Sequence, residues 1–178
     1  MIQLLILGIL QEIGESSPYI VLSTIKKRNY KYLVHVTTGS LYYNFKQLEK
    51  NKYLKLTRIE TSLSYPNQSF YQVTDQGKQH FAELMDKYSN SHEEIKFSFY
   101  LPTLFIDKFM QSDFEESLKN QIIFSEAKIK EINDSLLRNI DTIPFSSKVM
   151  MQNAREHYKI NIEMFTDLLS KKVKNREV

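Results

Sequence analysis

The stretch TGSLYYNFKQLEK, residues 38–50, decides how the first half of this 178-residue chain folds. Two threonines at its start are typical N-cap residues, because a side-chain hydroxyl accepts a hydrogen bond from a free helical N–H. Leu41, Phe45 and Leu48 follow at spacings of four and three, which places them on one face of a helix. The stretch therefore predicts a helix that buries this apolar face.

The opposite face of this predicted helix carries polar and aromatic side chains. At about 100° per residue, Tyr43, Lys46 and Lys50 point away from the apolar face, and Tyr42 lies on its flank. A helix that buries leucine and phenylalanine while presenting tyrosine and lysine side chains is suited to lie in a groove of DNA.

Two more helices are predicted before this stretch. Residues 2–13 are apolar at helical spacing, and Gly14 ends the run as a C-terminal glycine does. Ser17 and Pro18 then open a second helix, in the usual order of a cap residue followed by proline. Residues 30–36 are predicted to be extended. The apolar stripe of the second helix is predicted to consist of Tyr19, Leu22 and Ile25.

A β-hairpin and a fourth helix are predicted after residues 38–50. Residues 54–60 and 69–74 have the composition of two strands, and the loop between them is polar and contains a proline. Thr74 and Asp75 then cap a helix. Three helices, a hairpin and a further helix, in this order, are the plan of a winged helix-turn-helix domain.

The composition turns polar at residues 89–94, which marks a predicted domain boundary. We expect a winged helix DNA-binding domain at residues 1–90 and an α-helical dimerisation domain at residues 91–178. The whole chain is then mainly α-helical with one small β-hairpin.

Two long amphipathic helices are predicted in the second half. Residues 114–140 and 150–173 carry apolar side chains at helical spacing, and Pro144 separates them. Because the apolar faces of such a hairpin exceed what one small chain easily covers, we expect a homodimer. A bundle that covers itself within one chain is the alternative. The expected dimerisation residues are Tyr158, Ile162, Phe165 and Leu169.

The net charge of +3 hides an uneven distribution of charge. Between residues 26 and 58, nine lysines and arginines stand against one acid, Glu49. Such an excess is the electrostatic footprint of a polyanion, although a solvated basic face without a partner has the same composition. The position of the basic residues on the third helix and the hairpin favours double-stranded DNA. The expected phosphate contacts are Lys46, Lys50, Lys55 and Arg58.

The sequence contains no catalytic constellation. The four histidines lack metal-ligand spacing, and there is no nucleophile elbow or phosphate-binding glycine-rich loop. We therefore expect neither an enzyme nor a cofactor. The absence of cysteine fits a reducing cytoplasmic setting, and the apolar N-terminus is too short to span a membrane, which takes about 20 residues.

An aromatic segment follows the predicted domain boundary. Its rings are suited to line a pocket for a flat aromatic ligand, and they are equally suited to form plain core. The candidate pocket residues are Phe97, Phe99, Tyr100 and Phe105.

Three stretches together resemble the PadR-type transcriptional regulators. Residues 4–10, LLILGIL, are similar to the opening helix of that family, and residues 38–50 are similar to its recognition helix. Residues 70–77, FYQVTDQG, resemble the segment that leaves its wing. The second half resembles the helical C-terminal domain of the longer members, in layout more than in motif.

The resemblance implies a dimer bound to a pseudo-palindromic operator, usually as a repressor and sometimes released by a small aromatic molecule. It implies base contacts from the recognition helix and backbone contacts from the wing. The DNA-contacting residues that it implies are Thr38, Ser40, Tyr42, Tyr43 and Lys46.

The chain departs from the family pattern at two places. Ser17, Pro18 and Tyr19 stand where the family commonly has HGY before the second helix. Gln68 and Ser69 stand where many members have basic residues, so we expect weaker phosphate binding by the returning wing strand.

An adaptor that uses the winged helix to dock other proteins is an alternative from another functional class. Binding to duplex DNA that weakens steeply with added salt distinguishes the two, because an adaptor need not release counterions from a phosphate backbone.

Overall fold

The computed structural model describes residues 1–32, 34–61, 67–94, 96–105, 108, 111–138 and 143–174. The chain divides into two compact units, Met1–His92 and Glu93–Val178. The described residues are mainly α-helical with a two-stranded hairpin, which confirms the predicted fold class. Residues 62–66 of the predicted wing loop and residues 139–142 at the end of the first long stripe lie outside them.

The first unit follows the predicted order of elements. Its bounds are α1 (Ile2–Ile13), α2 (Pro18–Lys27), a 3-10 turn (Tyr30–Tyr32), α3 (Thr38–Lys50), β1 (Leu54–Glu60), β2 (Gln68–Val73) and α4 (Asp75–Ser89).

Helix α1 ends at Gly14, as predicted. Gly14 has a φ of 79°, and its backbone N–H donates to the Leu10 carbonyl oxygen at 3.0 Å. This left-handed conformation is one that glycine adopts without steric cost. The side chains that α1 buries are Ile6, Leu7, Ile9 and Leu10.

Helix α2 begins as predicted but buries a different face. The Ser17 hydroxyl accepts a hydrogen bond from the Ile20 N–H at 3.4 Å, and Pro18 occupies the first turn. The predicted stripe was partly wrong, because Tyr19 is 63% exposed. Pro18 is buried where Tyr19 was expected to be, so the buried face begins one residue earlier. The buried side chains of α2 are Pro18, Val21 and Ile25.

The prediction that residues 30–36 are extended was wrong for residues 30–32. Asn29 has a φ of 59° and ends α2, after which Tyr30–Tyr32 form a 3-10 turn. The Tyr32 N–H donates to the Asn29 carbonyl oxygen at 3.2 Å, so local hydrogen bonds replace the extended conformation.

The wing is an antiparallel hairpin joined to the loop between α1 and α2. Leu54 pairs with Val73 at one end and Glu60 with Gln68 at the other, with an irregularity between Leu56 and Arg58. The backbones of Ser16 and Tyr71 exchange two hydrogen bonds of 3.1 and 3.0 Å. These bonds fix β2 against the helices.

The start of α4 packs tightly on the turn before β1. The Thr74 backbone N–H donates to the Tyr53 carbonyl oxygen at 3.1 Å, and the Thr74 hydroxyl caps α4 by accepting from the Gly77 N–H at 3.0 Å. A Cβ at Gly77 would lie 2.2 Å from the Tyr53 carbonyl oxygen. The approach therefore requires glycine.

The second unit is built on two long antiparallel helices. Helix α5 (Tyr100–Thr103) precedes α6 (Gln111–Arg138) and α7 (Phe145–Lys174). Phe114 near the start of α6 shares a cluster with Phe165, whereas the Arg155 guanidinium donates to the Asn133 side-chain oxygen at 3.2 Å. These two contacts give the antiparallel order, and the predicted hairpin is confirmed.

The buried face of this hairpin differs in detail from the predicted stripe. Met151 is buried and Met150 is exposed, one position away from the expectation. Three serines also lie at buried positions that an apolar pattern does not reveal: Ser125, Ser135 and Ser147. Among the described residues, the search for membrane-spanning helices finds none of sufficient length and apolarity.

We predict that Gly77→Ala lowers the free energy of unfolding by about 1–3 kcal/mol or more, because the added methyl group overlaps the Tyr53 carbonyl oxygen. Urea denaturation of the full chain, followed by far-UV circular dichroism, measures the change.

Gly39→Ala is the matched control for this substitution. Gly39 lies in α3, and apart from its own chain neighbours and the adjacent helix backbone, no atom of the described residues lies within 4 Å of the position its Cβ would take. Alanine favours a helix over glycine by about 0.5–1 kcal/mol, so this variant should keep or raise stability. Equal stability of the two variants would contradict the close approach at Gly77.

Candidate nucleic-acid interface

The first turn of α3 is held by a reciprocal cap. The Ser40 N–H donates to the Thr37 hydroxyl at 3.1 Å, and the Thr37 N–H donates to the Ser40 hydroxyl at 3.0 Å. The Ser40 hydroxyl also donates to the Thr37 carbonyl oxygen at 2.9 Å. These bonds give Ser40 the role of fixing where α3 begins, while its contact with DNA stays a prediction.

The burial of α3 confirms its predicted orientation. Leu41, Phe45 and Leu48 are buried in the core of the first unit. On the other side, Tyr43 is 63% exposed and Tyr42 is 44% exposed. The remaining exposed members of this surface are Thr38, Lys46 and Lys50. We call these five residues the reading face.

The lysines predicted to meet phosphate are unpaired. Within the part of the chain that the structure describes, no carboxylate lies within ion-pair distance of Lys46, Lys50 or Lys55. All three are exposed. Their charges are therefore available to a polyanion.

Arg58 differs from these lysines because two carboxylates neutralise it. Its Nε lies 2.6 Å from a Glu15 carboxylate oxygen, and its Nη1 bonds to Glu60. The guanidinium also lies over the Phe70 ring, 3.7 Å from the ring centroid. The hydrogen bond from Arg58 lowers the pKa of the Glu15 carboxyl. Arg58 is thus a weaker phosphate ligand than the sequence suggested.

The basic excess counted along the sequence is smaller in three dimensions. Arg28, one of the nine basic residues between positions 26 and 58, forms an ion pair with Glu12. This hydrogen bond raises the pKa of Arg28. Glu12, Glu15 and Glu60 all lie outside the sequence window, and only the fold brings their charges to the arginines.

The wing is packed directly on α3. The Tyr71 ring lies 5.4 Å from the Phe45 ring, and the Tyr71 hydroxyl donates to a Glu49 carboxylate oxygen at 3.4 Å. Burial raises the pKa of Tyr71, and the negative charge of Glu49 raises it further. Tyr71 therefore stays neutral and ties β2 to the helix that carries the reading face.

A cleft opens between the start of α2, the middle of α3 and the start of β2. We call it the wing cleft; its volume is about 640 Å³. Sequence reasoning missed it, because its walls come from three distant segments and Tyr19 was assigned to the core. The residues that line it include Pro18, Tyr19, Tyr42, Phe45, Lys46 and Tyr71.

The four aromatic residues predicted to line an effector pocket lie in two different settings. The Phe97 and Phe99 rings lie 5.9 and 5.1 Å from the Phe165 ring, which is the packing of a core. Tyr100 and Phe105 are exposed, with 59% exposure for Phe105. Phe97 and Phe99 are partly buried, so Tyr100 and Phe105 present the larger aromatic surface of the four.

The predicted dimerisation residues also divide by burial. Phe165 has no exposed surface, so its side chain packs within its own protomer and is not available to a partner. Tyr158, Ile162 and Leu169 are half-buried. The large apolar side chains that α6 and α7 expose are Ile123, Phe124, Leu137, Phe145, Val149, Met150 and Ile160.

The first unit of the chain matches a known protein family. The model of the family described as "Transcriptional regulator PadR-like family" matches residues 6–83. Among curated proteins, no relative matches the chain.

Solved structures share the fold over nearly the whole chain. Bacillus subtilis PadR in complex with operator DNA has a TM-score of 0.76 at 20% identity, covering 95% of this chain and 96% of its own. The same protein in complex with p-coumaric acid has a TM-score of 0.75 at 20% identity, covering 95% and 96%. A PadR-like transcriptional regulator from Bacillus cereus has a TM-score of 0.71 at 18% identity, covering 96% and 97%.

These likenesses agree with the fold and with the resemblance found in the sequence. The family consists of transcriptional regulators, not enzymes. The model of the transcriptional regulator PadR-like family thus matches the winged helix of this chain at residues 6–83, and the solved structures share the fold of both units.

Proposed function

We propose that this chain is a sequence-specific DNA-binding repressor that acts as a homodimer on a pseudo-palindromic operator. The reading face of α3 carries the proposal: it joins two exposed tyrosines to two lysines that have no carboxylate partner among the described residues. The repressor acts where the chromosome is, in the cytoplasm. Bacillus subtilis PadR, which shares the fold, was crystallised with operator DNA.

The reading face enters the major groove. Tyrosine hydroxyls donate and accept hydrogen bonds, and their rings contact apolar base edges, so Tyr42 and Tyr43 read sequence. Lys46 donates to guanine or to phosphate, and Thr38 at the start of the helix contacts the sugar-phosphate backbone of DNA. The cap between Thr37 and Ser40 holds this turn in place.

The phosphate backbone is bound from two sides of the recognition helix. Lys50 lies at the end of α3 and Lys55 on β1, both exposed. Arg58 contributes less, because Glu15 and Glu60 already satisfy its charge. Each phosphate that the protein neutralises releases counterions and adds to the salt dependence of binding.

The second unit supplies the second recognition helix by pairing with another copy. Helices α6 and α7 expose more large apolar side chains than a monomer usually leaves in contact with water. A second copy of the chain covers them. Two recognition helices then enter successive major grooves, about 34 Å apart, which matches a pseudo-palindromic site.

A small aromatic effector releases the repressor in this proposal. Support comes from Bacillus subtilis PadR, which was also crystallised with p-coumaric acid. In this chain, Tyr100 offers exposed aromatic surface against the Phe97 ring, 5.5 Å away, and Phe105 is exposed a few residues later; these aromatic residues are one candidate position for the effector.

We predict that replacing Tyr43 and Lys46 with alanine weakens operator binding without unfolding the chain. Loss of a base contact costs about 1–3 kcal/mol, so each variant should raise the Kd for a duplex selected from genomic fragments. Fluorescence anisotropy measures the Kd, and circular dichroism checks the fold.

Lys119→Ala is the control for these variants, because Lys119 is an exposed lysine on α6 of the second unit and does not belong to the reading face. Its operator affinity should equal that of the parent chain. If the Tyr43 and Lys46 variants bind the operator as tightly as the parent chain, the reading face is not the surface that binds DNA. Duplex binding that is absent, or that does not weaken with salt, favours the adaptor.

We predict that Lys55→Gln makes the plot of log Kobs against log salt concentration less steep by about 0.9, the value for one phosphate contact on B-DNA. Arg58→Gln should change the slope less, because two carboxylates already neutralise Arg58. Titrations at several salt concentrations measure both slopes. A larger effect from Arg58 than from Lys55 would show that DNA displaces the two glutamates.

We predict that Ile123→Glu with Ile160→Glu shifts the chain from a dimer to a monomer of 21.1 kDa, because both side chains are exposed on the hairpin and a buried carboxylate is costly. Analytical ultracentrifugation measures the mass. Lys130→Glu, an exposed substitution on α6, should remain dimeric. A parent chain that sediments as a monomer contradicts the homodimer.

A further inference from the structure

The turn that joins the recognition helix to the wing is strained. It consists of residues 51–53, which lie between the end of α3 and the start of β1, and we call it the α3–β1 turn. Lys52 has a φ of 62°, in the left-handed region that a residue with a side chain seldom adopts. Such a conformation persists where the surrounding structure holds it, and here α4 does so.

Thr74 and Gly77 hold the backbone of the α3–β1 turn. The Thr74 hydroxyl donates to the Lys52 carbonyl oxygen at 2.7 Å, beside the bond from the Thr74 N–H to the Tyr53 carbonyl oxygen. Gly77, three residues further along, lets the backbone of α4 approach that same Tyr53 oxygen. On the other side, the Tyr53 N–H donates to the Leu48 carbonyl oxygen of α3 at 2.9 Å. The turn is therefore bonded to both helices.

His80 adds a third contact, again three residues further along α4. Its ring lies nearly parallel to the Tyr53 ring, with 4.1 Å between the centroids and 11° between the planes. Two neighbours fix the orientation of the imidazole: Nδ1 lies 3.2 Å from a Glu83 carboxylate oxygen, and Nε2 lies 3.4 Å from the Gln3 side-chain oxygen of α1. His80 belongs neither to the reading face nor to the residues proposed to contact phosphate.

These contacts determine the angle between the recognition helix and the wing. Helix α3 ends at Lys50 and β1 begins at Leu54, so their relative orientation follows from the conformation of the three residues between them. Thr74 also follows β2 directly, so the same side of α4 holds both strands of the hairpin at their inner end. A displacement of α4 would therefore tilt the wing relative to α3.

We propose that this side of α4 positions the wing for DNA binding, through Thr74, Gly77 and His80. It holds the wing at the angle to α3 at which Lys55 on β1 and the reading face meet the same duplex. Binding groups have to be held within about 0.5 Å of their productive geometry, so a small tilt is enough to lose one of the contacts. The role in DNA binding rests on the proposed function, whereas the hold of α4 on the turn does not.

The first experiment measures amide hydrogen exchange of the full chain without DNA, by NMR. His80→Ala removes the ring stacked on Tyr53, so we expect the Tyr53 N–H to exchange about fivefold faster, within the worth of one aromatic pair. His80→Phe keeps a flat ring at this position and should restore the parent rate. Equal Tyr53 exchange rates in the parent and in His80→Ala overturn the hold of α4 on the turn.

Phe81→Leu is the matched control, because Phe81 is the next residue of α4 but packs against α1. A Cβ at Gly8 of α1 would lie 3.2 Å from the Phe81 ring. The substitution lowers stability by loss of apolar contact and leaves the contacts to the α3–β1 turn in place. Tyr53 exchange should stay at the parent rate. If it rises as much as in His80→Ala, the exchange reports general loss of stability, and the proposal is overturned.

The second experiment measures the Kd for the operator duplex by anisotropy, at a temperature where circular dichroism shows every variant fully folded. His80→Ala should raise the Kd about fivefold, and His80→Phe and Phe81→Leu should leave it near the parent value. Lys55→Gln should weaken binding by a smaller factor in the His80→Ala chain than in the parent, because a tilted wing has already lost the Lys55 contact. Equal factors in the two chains show that the sites act independently and overturn the positioning role.

The two experiments separate this proposal from the proposed function. A parent chain without salt-dependent duplex binding refutes the repressor, and faster Tyr53 exchange in His80→Ala then still supports the hold of α4 on the turn. Weaker DNA binding by His80→Ala with unchanged Tyr53 exchange places the effect of His80 at the DNA itself and overturns the positioning role.

Discussion

Burial of Leu41, Phe45 and Leu48 in one core is the constraint on which the first unit depends. A helix has one rotation about its axis that places these three side chains inward, and that rotation sends Tyr43 and Lys46 to solvent. The chemistry available to DNA is therefore a consequence of apolar packing. The cap at Thr37 sets the starting point of the same helix, so rotation and position are determined together.

The rotation of α3 could be predicted from sequence because it depends on local spacing, and the same holds for the cap and the order of elements. The orientation of α2 could not, because the spacing of apolar residues gave no sign that Pro18 would be buried and Tyr19 exposed. Tyr19 instead lines the wing cleft. A tertiary contact thus overrode the local pattern.

Charge was harder to predict than packing. A window along the sequence counted Arg58 as a free cation, yet folding places Glu15 beside it, 43 residues away in the chain. The lysines of α3 and β1 differ, because no carboxylate oxygen of the described residues lies within ion-pair distance of them. The proposed DNA-binding surface therefore has fewer unpaired cations than the sequence indicated, and it is centred on the reading face. The apolar side chains of the second unit were hard to predict for a similar reason. Phe165 is fully buried within the chain, and helical periodicity alone did not distinguish such buried side chains from the exposed ones.

Tyr71 connects the wing both to α3 and to the loop before α2. It pairs with Ser16 through its backbone, packs on Phe45 through its ring and donates to Glu49 through its hydroxyl. Because these bonds converge on one residue, β2 cannot move away from α3 without breaking contacts to both α3 and the loop before α2. The wing and α3 are therefore held together by packing and hydrogen bonds, and the reading face keeps a fixed position beside β2.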